Sequence, residues 1–186
     1  MEKTIILIHE VYGITDNLVK LSDYLKKHGY KVIIPNLYSD NYSGNDEEYC
    51  YKKFFYEVGI EKAKTIIDDI IKNIISNQIV LIGFSIGATI AWLETDNPKI
   101  TQVIGFYGTR IRNYLDILPR SKTNLFFCNE NRIDVNQLAN VLRTKKNVDV
   151  QLINGEHGFY SKEDFYSEII EDANKKIIKV LNMEDF

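Results

Sequence analysis

The segment Gly83-Phe84-Ser85-Ile86-Gly87 has the residue types and the spacing of a nucleophile turn. It lies between the apolar run 79–82 and a stretch of small residues, which predicts a tight strand-to-helix turn that projects Ser85 from the carboxyl edge of a sheet. Glycine is expected at both ends because a side chain there would collide with the neighbouring strand or helix. The amide of Ile86, at the start of the helix, would point toward a developing oxyanion. The segment predicts attack by Ser85 on an acyl group; a plain turn with a buried serine is the alternative.

A serine hydroxyl is a poor nucleophile until a base removes its proton, and the chain has three histidines. His157 lies just beyond the last predicted strand, at the same sheet edge as Ser85, and it is the candidate base. His28 ends a predicted helix, where a histidine favours the helix dipole. His9 follows the first predicted strand and is expected to be a structural or rim residue.

Short β-branched runs alternate with longer amphipathic segments along the whole chain. Nearly unbroken apolar strands separated by helical lengths are typical of a parallel sheet that is buried on both faces. The pattern therefore predicts one α/β doubly wound domain over residues 1–186. The predicted strands are Thr4–Ile8, Lys31–Ile34, Ile79–Ile82, Gln102–Phe106, Asn124–Cys128 and Val148–Ile153. The predicted helices run from Thr15 or Asp16 to Lys27, over 46–76 with a bend or break near Val58-Gly59, and over Ile86–Glu94, Val135–Thr144 and Lys162–Leu181.

Five blocks of residues occur in a recognisable order: His9-Glu10-Val11-Tyr12-Gly13, the run 29–38, the Ser85 turn, Gly105-Phe106-Tyr107-Gly108 and Glu156-His157-Gly158-Phe159. Together they resemble the dienelactone hydrolase family of α/β-hydrolases. The resemblance implies a three-layer sandwich of six mainly parallel strands in the order 2-1-3-4-5-6, without the N-terminal hairpin of the family. It also implies a nucleophile, an acid and a histidine that cleave an acyl bond, with serine here where many members carry cysteine.

The resemblance extends to the residues around the nucleophile. Glu10 matches a glutamate that sits beside the nucleophile and helps to set its protonation state, and the amide of Val11 would be the second oxyanion donor. Direct register places Asn131 where the family has the acid that orients the histidine. Asp134 is the second candidate, although it could instead cap the following helix, and Glu130 is the third.

Residues expected to contact the substrate follow the predicted strands. Dienelactone hydrolases hold a substrate carboxylate with arginines, but here those places are taken by Asp40 or its neighbours and by Ser161, so a dienelactone substrate is not expected. Arg110 or Arg112 would supply a cation from another direction, or be surface charges. Aromatic residues on loops at the carboxyl edge are expected to line the pocket: Tyr12, Tyr38, Tyr107 and Phe159. A further aromatic cluster within 49–56 would either cap the site or pack in the core.

Composition excludes several classes of function. The 186 residues carry 23 Lys plus Arg and 26 Asp plus Glu, a formal charge of −3, which provides no basic field for nucleic acid. No run reaches the roughly 18 apolar residues of a membrane span. Cys50 and Cys128 indicate reduced thiols rather than a disulfide framework, and the first residues become charged too soon for a signal peptide.

The sequence therefore predicts a cytoplasmic serine hydrolase, monomeric or homodimeric, that acts on a small-molecule ester, lactone or thioester through an acyl-enzyme on Ser85. It needs no metal and no organic cofactor, and it binds neither nucleic acid nor a membrane. A shallow, open site is expected because the chain has no room for a separate lid domain. The alternative is a non-catalytic binding or regulatory protein of the same fold whose triad is degenerate, since Asn131 offers no charge.

Overall fold

A six-stranded parallel sheet forms the centre of the computed structural model, which describes residues 3–130 and 133–183. The strand order is β2-β1-β3-β4-β5-β6, and every neighbouring pair is parallel. The strands are β1 (Lys3–Ile8), β2 (Lys31–Ile33), β3 (Gln78–Phe84), β4 (Ile100–Phe106), β5 (Lys122–Phe127) and β6 (Val148–Leu152). The predicted fold class and strand order are confirmed.

Helices cover both faces of this sheet. They are α1 (Asp16–Lys27), α2 (Glu47–Glu57), α3 (Gly59–Asn73), α4 (Ile86–Leu93), α5 (Val135–Arg143), α6 (Phe159–Lys162) and α7 (Glu168–Leu181), with a short 3₁₀ helix at Thr109–Asn113. Alternate residues of a strand point to opposite faces. Accordingly Ile5 and Leu7 pack in one apolar cluster with α1 and α7, while Ile6 and Ile8 pack in another with α3 and α4. The result is the expected three-layer sandwich.

Two helix predictions had different outcomes. The break near Val58-Gly59 is confirmed, because α2 ends at Glu57 and α3 begins at Gly59, whose φ of 68° suits glycine. The predicted helix over 162–181 is wrong at its start, since α7 begins only at Glu168. The Asp164 carboxylate accepts a hydrogen bond from the Tyr166 amide at 2.8 Å, a local turn that competes with a helical backbone.

Within residues 3–130 and 133–183, no helix combines the length and the apolar character that crossing a membrane requires. A groove of about 760 Å³ lies at the amino edge of the sheet, between the start of β1 and β2 and the end of α3. That edge is opposite to the one from which Ser85 projects, so the groove is separate from the site described below.

Candidate active site

Ser85 occupies a sharp turn between β3 and α4. Its φ of 51° and ψ of −113° are rare for a residue with a side chain, and its amide donates to Phe106 O at 2.9 Å. A Cβ on Gly83 would lie 2.3 Å from Gly87 O, and a Cβ on Gly87 would lie 2.2 Å from Ile8 O. The turn that the glycine spacing predicts is therefore present, and both glycines are required sterically.

His157 forms hydrogen bonds with both the nucleophile candidate Ser85 and the carboxylate of Glu130. Ser85 Oγ and His157 Nε2 are 2.7 Å apart, and His157 Nδ1 and Glu130 Oε1 are 2.5 Å apart. A carboxylate only accepts hydrogen bonds, so Nδ1–H of a neutral imidazole donates to Glu130. Nε2 then carries the lone pair and accepts the Ser85 hydroxyl proton. This is the geometry of a nucleophile, a base and an orienting acid.

The segment that carries His157 is anchored to α1. His157 follows β6, and the next residue, Gly158, has a φ of 82° that opens the one-turn helix α6. The Asn17 side-chain amide donates to Tyr160 O at 2.8 Å and to Glu163 O at 2.9 Å. Asn17 is buried, so these two bonds fix the segment against the sheet edge.

The acid in this arrangement is the candidate that the sequence ranks third. Glu130 follows β5, and its side chain is 14% exposed. Asp134 instead accepts a hydrogen bond from the Gln137 amide at 3.0 Å and caps α5, as its alternative role requires. Asn131 lies outside the described residues. Among the described residues, the carboxylate that meets His157 is therefore that of Glu130 rather than that of Asp134.

Ile86 and Val11, the two predicted oxyanion donors, lie on adjoining elements. Ile86 is the first residue of α4, and the first amides of a helix have no partner within it. Val11 lies in the loop after β1, and its carbonyl accepts the Tyr38 hydroxyl at 2.5 Å, which fixes the orientation of that loop. Gly87 packs against the end of β1, so this loop and the start of α4 are neighbours.

Glu10 is buried in the layer below the site. Its Oε2 accepts the Ser161 hydroxyl, while its Oε1 has no hydrogen-bond partner among the described residues. Burial raises the pKa of the Glu10 carboxyl, and this outweighs the lowering by Ser161, by the charge of His157 and by Tyr107. Glu10 therefore retains its proton to higher pH than a surface glutamate does.

His9 is a structural residue. It is buried, and its Nε2 accepts the Leu37 amide at 3.1 Å, so its Nδ1–H donates to Glu10 O at 2.6 Å. Burial lowers the pKa of His9 to about 4, so the ring is neutral near pH 7. His9 ties the loop after β2 to the loop after β1.

The four aromatic residues expected to line a pocket are all buried. Tyr38 bonds Val11, and the Tyr12 hydroxyl donates to Glu47 Oε2 at 3.3 Å. Tyr107 and Phe159 belong to the apolar cluster that includes α1 and α7, and the Tyr107 ring lies below His157. Burial of apolar surface turns these two rings inward, so they support the site from beneath instead of forming its open rim.

One flank of α2 runs along the sheet edge that carries Ser85. Glu47, Tyr51 and Phe55 are spaced four residues apart, so they share this flank. Lys162 donates to Glu47 Oε2 at 2.8 Å. At the other end, the Arg110 guanidinium lies 4.7 Å from the centre of the Phe55 ring and donates to the Tyr51 hydroxyl. The flank therefore connects the His157 segment to the 3₁₀ helix after β4.

The aromatic residues of α2 thus lie in three different surroundings. Phe54 packs in the core, and Tyr51 and Phe55 face Arg110. The other two aromatic side chains, Tyr49 and Tyr56, are exposed. Arg112 donates to Thr109 O at 2.7 Å within its own turn. No carboxylate within the described ranges lies within 4.0 Å of the Arg110 guanidinium.

Sequence reasoning missed the contacts of Ser161 and Lys162. Nothing in their types distinguishes them from other polar residues, but their position four and five residues after His157 puts them on the segment that carries the base. No group of three or more His, Cys, Asp or Glu in residues 3–130 and 133–183 is arranged to hold a metal ion.

Comparison with known proteins identifies the family of this chain. The model of the dienelactone hydrolase family matches residues 1–184. The chain belongs to the dienelactone hydrolase family. Membership identifies the protein as a hydrolase, and the expected resemblance is confirmed.

Two relatives and one solved structure are similar to this chain over most of its length, and the solved structure shows the fold alone. The Bacillus subtilis protein YczH, which is uncharacterized, is 34% identical over 87% of this chain and 83% of its own length. A putative carboxymethylenebutenolidase of Synechocystis is 22% identical over 97% of this chain and 85% of its own length. The dienelactone hydrolase-like promiscuous phosphotriesterase P91 from metagenomic libraries superimposes with a TM-score of 0.66 at 14% identity, covering 97% of this chain and 85% of P91.

Proposed function

We propose that this dienelactone hydrolase family member is a serine hydrolase that cleaves a carboxylic ester, lactone or thioester through an acyl-enzyme on Ser85. One observation carries the proposal: the continuous hydrogen-bond chain from Ser85 Oγ through His157 to Glu130. A hydroxyl, an imidazole and a carboxylate in this order have the geometry for general-base activation of a nucleophile.

The reaction follows from the positions of these groups. Ser85 Oγ attacks the acyl carbon and forms the C–O bond, while Nε2 of His157 accepts the hydroxyl proton. The amides of Ile86 and Val11 stabilise the negative charge on the former carbonyl oxygen. The imidazolium then gives the proton to the departing alkoxide or thiolate as the acyl C–O or C–S bond breaks, so the group leaves as an alcohol or thiol, or as the hydroxyl end of an opened lactone. A water molecule, activated by the same histidine, releases the acid and restores Ser85.

Glu130 has two roles in this scheme. It selects the tautomer in which Nε2 faces Ser85, and its negative charge stabilises the imidazolium that forms in each half-reaction. The non-catalytic alternative was motivated by the neutral side chain of Asn131. The Glu130 carboxylate lies 2.5 Å from His157 Nδ1 and supplies the charge that Asn131 lacks, which supports the enzymatic hypothesis over the non-catalytic one.

Arg110 is proposed as a substrate-contacting residue. It follows β4, next to the strand that ends in Ser85, and Gly108 packs against Ala88 of α4, so the 3₁₀ helix stands beside the nucleophile helix. Its guanidinium is held by Tyr51 and Phe55 and lacks a carboxylate partner among the described residues. We propose that Arg110 contacts the acyl group or the alcohol group of the substrate.

The test is labelling with a fluorophosphonate, followed by mass spectrometry of the labelled peptide. The expected result is one adduct on Ser85 that is lost in Ser85→Ala and slowed in His157→Ala, together with hydrolysis of short-chain p-nitrophenyl and thio esters. Ser22→Ala is a matched control, because Ser22 is a buried serine of α1. Folded protein that neither labels at Ser85 nor cleaves any ester at neutral pH would overturn the proposal.

A further inference from the structure

The Tyr107 ring lies directly against the imidazole of His157. The two ring centres are 5.0 Å apart, with their planes inclined by 55°. The Tyr107 side chain is 0% exposed, so a substrate at Ser85 does not reach it. Phe84 and Phe159 surround the ring on its other sides. The imidazole therefore rests on a rigid aromatic surface.

The backbone holds Tyr107 in an unfavourable conformation. Its φ is 41°, in the left-handed region that tyrosine rarely adopts. The Tyr107 amide donates to Phe126 O at 2.7 Å, and its carbonyl accepts the Thr109 amide at 3.0 Å, so the strand-end geometry imposes this conformation. Strained residues of this kind persist where the surrounding structure fixes them, often at functional sites.

The hydroxyl of Tyr107 faces the carboxyl of Glu10. The two groups are close enough for Tyr107 to lower the pKa of Glu10. Tyr107 Oη and Glu10 Oε1 are nevertheless both buried, and neither atom has a partner at full hydrogen-bond geometry in the described part of the chain. The Tyr160 backbone also interacts with the Tyr107 hydroxyl, and it leaves the Tyr107 proton free for Glu10 because an amide donates to the hydroxyl oxygen. A buried donor and a buried acceptor that remain unpaired are unfavourable, and pairing the two with each other removes both penalties.

Ser161 completes this cluster from the His157 segment. Its hydroxyl donates to Glu10 Oε2, and it lies four residues after His157. The groups that face Glu10 are Ser161 and Lys162 from this segment, Tyr107 from the end of β4, Tyr12 from the loop after β1, and His157 itself. Glu10 thus carries a potential negative charge beneath the imidazole, and Tyr107 contacts both.

We propose that Tyr107 is a positioning residue for the hydrolysis assigned to Ser85, and that it acts through both its ring and its hydroxyl. This inference rests on the proposed function. The ring holds the imidazole plane so that Nε2 stays directed at Ser85. The hydroxyl donates to Glu10 Oε1, which favours the carboxylate form of Glu10 at the moment when His157 becomes an imidazolium.

The first test compares Tyr107→Phe with Tyr160→Phe. Tyr160 is the matched control because it is also a buried tyrosine, but its hydroxyl donates to Asn174 at 2.6 Å, away from His157. With a short-chain ester, Tyr107→Phe is expected to lower kcat about tenfold with KM unchanged, because the residue does not touch the substrate. Tyr160→Phe should leave kcat and KM unchanged. Tyr107→Leu, which also removes the ring, should lower kcat further.

The second test follows the Glu10 carboxyl by ¹³C NMR in glutamate-labelled protein, with Glu10→Gln to assign the signal. Tyr107→Phe and Ser161→Ala should each move the titration midpoint of Glu10 to higher pH, because each removes a donor to the carboxylate. Tyr160→Phe should not move it. A merely structural role for the Tyr107 ring would leave this midpoint unchanged.

An unchanged kcat and an unchanged Glu10 midpoint in Tyr107→Phe, with normal fluorophosphonate labelling of Ser85, would overturn the inference alone. Wild-type protein that fails to label at Ser85 would overturn the proposed function and the positioning role with it. The labelling result therefore separates the two failures.

Discussion

Replacing Glu130 with glutamine measures how much the triad depends on a charge. The glutamine carbonyl can still accept Nδ1–H of His157, so the variant keeps the hydrogen bond and removes the negative charge. The imidazolium and the carboxylate are partly screened, since their side chains are 31% and 14% exposed. For charges separated by about 4 Å at an effective dielectric near 20, the attraction is about 4 kcal/mol. At 1.36 kcal/mol per tenfold, this corresponds to a loss of about 10³ in kcat/KM.

The assay measures kcat/KM with a short-chain p-nitrophenyl ester near pH 7.5, and it compares Glu130→Gln with variants of two neighbouring residues. Asp134→Asn is the matched control, because Asp134 caps α5. It should leave kcat/KM unchanged while lowering the free energy of unfolding by at most about 1 kcal/mol. Asn131→Ala should also retain activity. A 10³-fold loss in Asp134→Asn or Asn131→Ala, with an active Glu130→Gln, would refute the assignment of the acid.

Three further predictions concern stability, each measured by urea unfolding. Burial raises the pKa of Glu10 above its ordinary value of 4.5, so the folded protein binds the Glu10 proton more tightly than the unfolded chain does, and the wild type loses stability as the pH rises above 4.5. Glu10→Gln lacks this loss, so it should be more stable than the wild type at pH 8, and the difference should vanish below about pH 4.5. Since burial lowers the pKa of His9 from 6.5 to about 4, the wild type should lose stability as the pH falls through that range, whereas His9→Gln should lack this loss. Gly87→Ala should lose about 3 kcal/mol through its clash with Ile8 O, and Gly29→Ala, which meets no atom within 4 Å, only about 1 kcal/mol through its φ of 87°.

The sequence was sufficient to predict the sheet, and also to predict that Ser85 and His157 lie at the same sheet edge, where the structure brings them into contact. The apolar runs are long and β-branched, and strands buried on both faces have few alternative conformations, so the order of elements followed from them. Ser85 directly follows β3, and His157 lies on the short connection between β6 and α6. The end of a strand fixes the position of the residues that follow it closely.

The acid and the aromatic residues depend on loop conformation, which periodicity does not determine. Glu130 and Asp134 both follow β5, and only the path of the chain between β5 and α5 decides which carboxylate turns toward His157. Tyr107 lies at a strand end, but its left-handed backbone turns the ring inward. Neither outcome is encoded in residue type or spacing alone.

The contacts at the two ends of the α2 flank, Lys162–Glu47 and Arg110–Phe55, differ in their response to salt. The Lys162–Glu47 ion pair is largely exposed, so added salt screens it, whereas the stacking of Arg110 on Phe55 depends on contact and responds less. Raising the ionic strength should therefore loosen α2 only at the end near His157. How firmly α2 holds the segment that carries His157 should then depend on the ionic strength of the solution as well as on the sequence.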